Sequence, residues 1–388
     1  MLSFKTNPHL SLYIHLPWCV KKCPYCDFNS HASNSEAIPE EAYVDALISD
    51  LESELPRIWG RPIGSIFIGG GTPSLFSAEA INRLMAALRE RLIFYHNTEV
   101  TMEANPGVAE ADRFKAYCTS GVNRLSIGVQ SFNDEKLKRL GRIHNSAEAL
   151  SAITMAKDAS FNEINIDLMF GLPEQSIDEA MSDLEVAMDQ QVTHLSWYQL
   201  TIEPNTIFYS KPPALPVDDL LWDMQEQGQA YLFDSGFNQY EISAYARKGV
   251  NHQCQHNLNY WQFGDYLGIG AGAHGKLTHV ADGKIERYVR HRLPQSYIEK
   301  VAQKNAITET RSLSRDELPL EFMMNAFRLN EGFHPSLFIE NTGLPLNHIQ
   351  KQLEIAEEKA LIEWDINMIK PTETGHRYLN DLIELFMK

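Results

Sequence analysis

Cys19-Val20-Lys21-Lys22-Cys23-Pro24-Tyr25-Cys26 puts three thiols in one short run, and the next cysteine is Cys118. Three sulfur ligands on a four-iron cluster leave one iron without a protein ligand, and that iron can take a substrate or cofactor. Structural zinc takes four ligands, so a Cys3His set completed by His15 or His31 is the competing metal reading. A disulfide pair is the third reading, and a reducing compartment disfavours it. The run follows the apolar segment Leu12–Leu16, so this loop begins where a strand is expected to end.

Further short apolar segments follow at Ser65–Ile68, Glu99–Glu103, Arg124–Val129, Glu163–Met169 and His194–Leu200. Amphipathic helical patterns lie between them. Pro39–Leu55 places Val44, Leu47, Ile48 and Leu51 on one face, and Ser77–Leu92 does the same with Ile81, Leu84, Met85 and Leu88. Ser176-Ile177-Asp178-Glu179 reads as a capping box. Strand–helix alternation predicts a parallel sheet with helices outside. The unusual residues collect at strand C-terminal ends. The cysteine loop follows the first strand, Gly69-Gly70-Gly71-Thr72-Pro73 the second, Glu103 and Gln130 end the third and fourth, and Asp167 lies in the fifth. A barrel builds its active site at that rim, whereas an open doubly wound sheet gathers it at one switch point.

The expected fold is therefore α/β, a partial (β/α)6 TIM-like barrel over residues 1–240. Residues 241–292 form an aromatic- and histidine-rich connecting segment. Residues 293–388 return to helical periodicity and read as helix–helix–hairpin–helix, a smaller winged-helix-like α+β domain.

Net charge is −17, from 34 basic and 51 acidic residues, and such a surface repels phosphate backbones. No nucleic-acid partner is expected. No apolar run is long enough to span a bilayer, and Met1 to Leu10 lacks the charged-then-apolar order of a secretory signal. A cytoplasmic location is the expectation.

The glycine run lacks the Lys-Ser/Thr of a phosphate loop and the GxGxxG spacing of a dinucleotide site. By itself it is a strand-end turn. Beside an open iron, its backbone can hold the amino group of a bound amino acid, with Glu103, Gln130, Arg142 and Asp167 placed for a ribose and a carboxylate.

Read in order, these motifs carry a family resemblance. The cysteine triplet with Tyr25 before its last member, the Gly69–Pro73 run, Tyr13-Ile-His-Leu-Pro-Trp-Cys19, Gly128-Val-Gln-Ser-Phe132, Asn165-Ile-Asp-Leu168 and Gly171-Leu-Pro173 resemble the radical S-adenosylmethionine (SAM) superfamily. They are similar to the branch of oxygen-independent coproporphyrinogen III oxidase and the HemW-type heme chaperones, along nearly the whole chain. The resemblance implies that Cys19, Cys23 and Cys26 ligate a [4Fe–4S] cluster and that SAM chelates its fourth iron. It implies SAM contacts at Tyr13, Gly70, Gly71, Thr72, Glu103, Gln130, Arg142 and Asp167.

Two departures separate the relatives. The oxidase carries a further cysteine where this chain has Phe28, and it carries an extension ahead of its first strand, where only about ten residues stand here. His256-Asn-Leu-Asn-Tyr260-Trp261 matches the HNxxYW pattern of the chaperones. Neutral imidazole is a common axial ligand of heme iron, and tyrosine or tryptophan can line a porphyrin. His256, Tyr260 and Trp261 are thus the expected heme residues, within a stretch from Asn251 to His274 where His252, Cys254 and His274 could serve instead. The plain alternative is a loop histidine beside core aromatics. The expected function is a heme chaperone that binds heme, a [4Fe–4S] cluster and SAM and passes heme to acceptor hemoproteins. The oxidative decarboxylase is the rival, and whether the chain is an enzyme stays open. Expected partners are a reductant protein such as a flavodoxin or ferredoxin, and a second copy in a homodimer.

Overall fold

Six βα units carry the chain through parallel strands β1 (Leu10–Leu16), β2 (Ile63–Gly70), β3 (Phe94–Ala104), β4 (Arg124–Gln130), β5 (Glu163–Phe170) and β6 (His194–Gln199). They are hydrogen-bonded in chain order. The computed structural model describes residues 2–33, 37–108, 111–249 and 252–387. Leu12, Ile14, Ile66, Ile68, Leu125 and Ile127 are fully buried in the core shared with the outer helices. The opposite, inward row is Ser11, Tyr13 and His15 in β1 and Ser126 and Gly128 in β4. That alternation leaves an apolar wall outside and a polar lining within. Helices Glu40–Glu54, Ala78–Arg91, Ser146–Asp158 and Ile177–Asp189 cover the wall. The expected capping box at Ser176 and Glu179 forms. Another forms at Asn145 and Glu148. Each satisfies backbone N–H groups that a helix start leaves unpaired.

The expected connecting segment, 241–292, is built into the sheet instead. After β7 (Phe237–Glu241), it contributes β8 (Ala244–Arg247), β9 (Asp265–Ile269), β10 (His274–His279) and β11 (Lys284–Arg290). With β12 (Ile307–Ser312), the sheet order is β12-β11-β10-β9-β1-β2-β3-β4-β5-β6-β8-β7. The barrel does not close. Its first strand is extended by β9 in parallel and then by three antiparallel strands. β9 is buried throughout and β10 over four of its six residues, so neither shows period-two alternation, whereas the edge strand β12 is largely exposed.

The expected boundary at 293 also shifts. Helix Pro294–Ala302 puts Tyr297 and Val301 into the main core, and β12 belongs to the main sheet. A second core, around Phe322, Phe333, Phe338, Leu353 and Ile369, takes over from Leu313. It holds helices Leu318–Ala326, Pro335–Thr342 and Gln350–Glu358 and the hairpin Ile362–Trp364/Ile369–Pro371. The last expected helix, from Glu373, is interrupted at Tyr378.

Two buried ion groups fasten the extension to the barrel. Arg290 of β11 is 0% exposed and reaches Asp50 and Glu54 of the first helix at 3.0 Å each. Tyr297 Oη donates to Asp50 Oδ2 at 2.7 Å. Asp265 of β9 meets Lys276 Nζ at 3.0 Å and Arg61 at 2.9 Å. Among the described residues, no helix is long and apolar enough to cross a membrane.

Candidate functional site

The C-terminal ends of β1–β6 surround a cavity of about 370 Å³, within the size range of small-molecule and cofactor sites. The cysteine loop forms its mouth. After β1, the pair Trp18–Cys19 makes a short parallel ladder with His31–Ala32. Cys26 N donates to Cys23 O at 3.1 Å, closing the turn between them. Beneath, Tyr13 Oη donates to His15 Nδ1 at 2.9 Å, and His15 Nε2 donates to Asn29 O at 2.9 Å. Burial holds the His15 pKa down at about 4, so the ring stays neutral and that relay keeps its sense. Farther out, Phe208 N donates to Pro24 O at 3.0 Å.

Cys19, Cys23 and Cys26 all line the cavity and none is in a disulfide. Burial raises the Cys19 and Cys26 thiols above their usual pKa, which binding to a metal would reverse. Arg142 places Nη1 3.6 Å from Cys23 Sγ and donates through Nη2 to Gly128 O at 2.6 Å. Its Nε is buried without a partner, so a cation sits beside the thiols with a donor to spare. No three His, Cys, Asp or Glu among the described residues converge as ligands of one ion. A single zinc needs that convergence. Three thiols on one cavity, none of them in a disulfide, supply the soft donors that an iron–sulfur cluster takes.

Of the eight residues expected at SAM, Gly70, Gly71, Thr72, Glu103, Gln130, Arg142 and Asp167 line this cavity with the cysteines. Tyr13 is set below, its ring 6.3 Å from those of Phe67 and His256. The glycines are steric necessities. A Cβ on Gly71 would collide with Trp18 O, and one on Gly70, at φ 118°, would lie 2.5 Å from the His15 ring. Gly71 N bonds Leu16 O at 2.8 Å and Thr72 N bonds Trp18 O at 2.7 Å, tying the glycine run to the cysteine loop. Asp167 accepts from Ser126 at 3.1 Å and Asn165 at 2.8 Å. Gln130, at φ 73°, accepts from Tyr198 Oη at 3.0 Å.

Glu103 accepts from Gly70 N at 3.0 Å. Burial, with the Asp167 charge adding to it, raises its pKa from 4.5 to about 7. The folded value exceeds the unfolded one, so the fold binds the extra proton and loses stability as pH rises through that window. The cost is complete above pH 7, on the order of 2 kcal/mol because the carboxylate still meets cavity water. Glu103→Gln should therefore stabilise the ligand-free protein at pH 8 and leave it unchanged near pH 4. Urea melts at both pH values measure this, and an equal gain at both would refute it.

Sequence reading missed Ser126, Asn165, Ser196 and Tyr198, which share the lining. Asn165 stands two places from Asp167, Ser126 pairs with Glu103 and Ser196 with Asp167 across the sheet, and Tyr198 follows Ser196 by two, so period-two counting from Asp167 and Glu103 could have found them.

The other end of the barrel is plugged. Helix Gln255–Trp261 crosses the N-terminal ends of the strands. His256 N and Cys254 Sγ both donate to Glu99 Oε1, at 3.2 and 3.4 Å, and His252 Nδ1 lies 2.7 Å from Glu163. Buried Arg124 donates to His252 O at 3.0 Å and lies 3.5 Å from Glu163. Asn251, where the expected heme stretch begins, lies outside the described residues. His256 is 8% exposed, with its ring against Phe67 and Nδ1 3.3 Å from Ser65 Oγ. Burial lowers its pKa to about 3. His256 thus forms part of the barrel floor. Tyr260 and Trp261 do not join it. Tyr260 packs tilted against Tyr266 with ring centres 5.1 Å apart, and Trp261 lies under the Arg328 guanidinium at 4.5 Å.

The family model of the radical SAM superfamily matches residues 13–187, and that of the HemN C-terminal domain matches 313–378. The chain is 50% identical over 384 residues to the heme chaperone HemW of Haemophilus influenzae and 51% identical over 380 residues to that of Escherichia coli. Each likeness covers 98% of both chains. The solved structure of coproporphyrinogen III oxidase (HemN) from Escherichia coli superposes with a TM-score of 0.81 at 24% identity. It covers 98% of this chain and 90% of that one, and it shows the fold.

Proposed function

Because this chain belongs to the HemW heme chaperone family of the radical SAM superfamily, we propose that it holds a [4Fe–4S] cluster and SAM at the barrel mouth and carries heme to acceptor hemoproteins. One observation carries the cofactor part: a single cavity gathers three unpaired thiols and the polar strand ends that face them. Cys19, Cys23 and Cys26 hold the cluster. When bound and reduced, the cluster supplies the electron that cleaves SAM. Arg142 balances thiolate charge and shields Cys23. The glycine run offers backbone close to the cluster, where a side chain could not fit. Asp167, fixed by Ser126 and Asn165, and Gln130, fixed by Tyr198, orient the ligand without moving themselves. Heme is cargo. A one-electron donor protein of the flavodoxin or ferredoxin kind reduces the cluster, and the protein works in the cytoplasm.

Phe28 supports carriage over decarboxylation. It is 62% exposed at the cavity mouth, where the oxidase would offer a fourth thiol. The test is anaerobic. Hemin-loaded, cluster-reconstituted protein is mixed with an apo-hemoprotein and transfer is read from the acceptor's absorbance. The same preparation receives coproporphyrinogen III with SAM and reductant. Heme transfer without porphyrinogen turnover is the expected result. Catalytic formation of protoporphyrinogen would overturn the carrier reading.

A further inference from the structure

We infer that the heme cargo is ligated by the exposed imidazole of His274, where the inner face of the barrel continues onto the strands that extend it. This deepens the chaperone reading above and rests on it. The path follows the sheet register. Tyr13 points into the barrel and pairs with Gly268 of β9. β9 and β10 are antiparallel with Tyr266 opposite Lys276, which sets His274 opposite Gly268 and on Tyr13's face. His274 pairs onward with Val289. Gly268 has no side chain to separate Tyr13 from His274. The four residues after His274 in β10 are buried, while His274 itself is exposed.

The surroundings match a porphyrin with two carboxylates. Tyr260, 36% exposed, offers an aromatic edge backed by the buried ring of Tyr266, the two tilted at 41° with centres 5.1 Å apart. Arg287 donates to Tyr266 Oη at 3.0 Å. Desolvation, then the charges of Arg287 and Arg292, lower the His274 pKa, so its imidazole is neutral and open to iron. Arg292 is a cation for a propionate, while Arg287 is already held by Glu321 at 2.6 Å. Tyr260 of the HNxxYW run thus belongs with His274, while His256 holds the floor. The patch also touches the cluster loop: Asn29 Nδ2 donates to Ala271 O at 2.9 Å in the turn before β10.

The test is hemin titration of full-length, cluster-reconstituted protein, followed through the Soret band. His274→Ala should bind at least about tenfold more weakly and lose the imidazole spectrum. His274→Cys should bind with a thiolate spectrum in its place. His256→Ala, and His256→Gln as the variant that keeps a polar contact to Ser65, should keep the wild-type spectrum. If His274→Ala titrates like wild type, or either His256 variant alone removes imidazole ligation, the assignment fails and heme carriage stands. If wild type binds no hemin, the chaperone reading itself fails.

Discussion

Cys23→Ala protein, treated anaerobically with iron and sulfide, should stay colourless and hold almost no acid-labile sulfide. Two thiolates remain, and neither Ser30 nor Thr72 beside them replaces a soft sulfur ligand. The fold should survive. Cys23 is half-buried on a loop, its side chain meeting Arg142 at 3.6 Å and the neighbouring Tyr25, so unfolding free energy should move by less than about 1 kcal/mol. The same holds for Cys19→Ala and Cys26→Ala. Cys118→Ala is the control, since Cys118 sits on helix Ala111–Thr119 and packs against the main core. Full iron and sulfide in the Cys23 variant, or their loss in the Cys118 variant, would sink the cluster assignment.

Arg290→Ala should be the most destabilising single change, costing about 3–5 kcal/mol. Removing the guanidinium leaves Asp50, 1% exposed, without its cation, while Glu54, 4% exposed, keeps only Arg57 at 2.6 Å. A carboxylate in that position is poorly solvated and has lost a charge-assisted partner at 3.0 Å. The triple variant Arg290→Met, Asp50→Asn, Glu54→Gln should recover much of the loss, because it removes the charges together. Urea unfolding of both proteins measures it. A loss below about 1 kcal/mol for Arg290→Ala would mean that water reaches the pair.

The six parallel strands were legible because each is an apolar run bounded by a periodic helix, and because Cys19, Gly70, Glu103 and Gln130 mark the same rim of successive strands. The extension was not. β9 reads Asp265-Tyr-Leu-Gly-Ile269 and is buried throughout, so it lacks the alternation that would announce a strand. Its pairing with β1 is a contact across more than half of the chain, which no local pattern encodes. The histidine run is divided in the fold, for a related reason. HNxxYW suggested one constellation, but His256 and Tyr260 stand one turn apart along the helix and meet different strands, while Trp261 is rotated away toward Arg328. His256 therefore turns down into the barrel and Tyr260 meets the extension. Ion pairs such as Asp50–Arg290 are invisible for want of any sequence proximity.

Gln130 holds a left-handed backbone, φ 73°, without being glycine. That conformation costs on the order of 1 kcal/mol. Glycine would relieve it, but would also delete the amide oxygen that fixes Tyr198 over the cavity. Selection for robustness and selection for ligand geometry therefore oppose each other at this position. A search for thermostable variants should repeatedly recover Gln130→Gly, and each recovered clone should bind SAM less tightly than its parent.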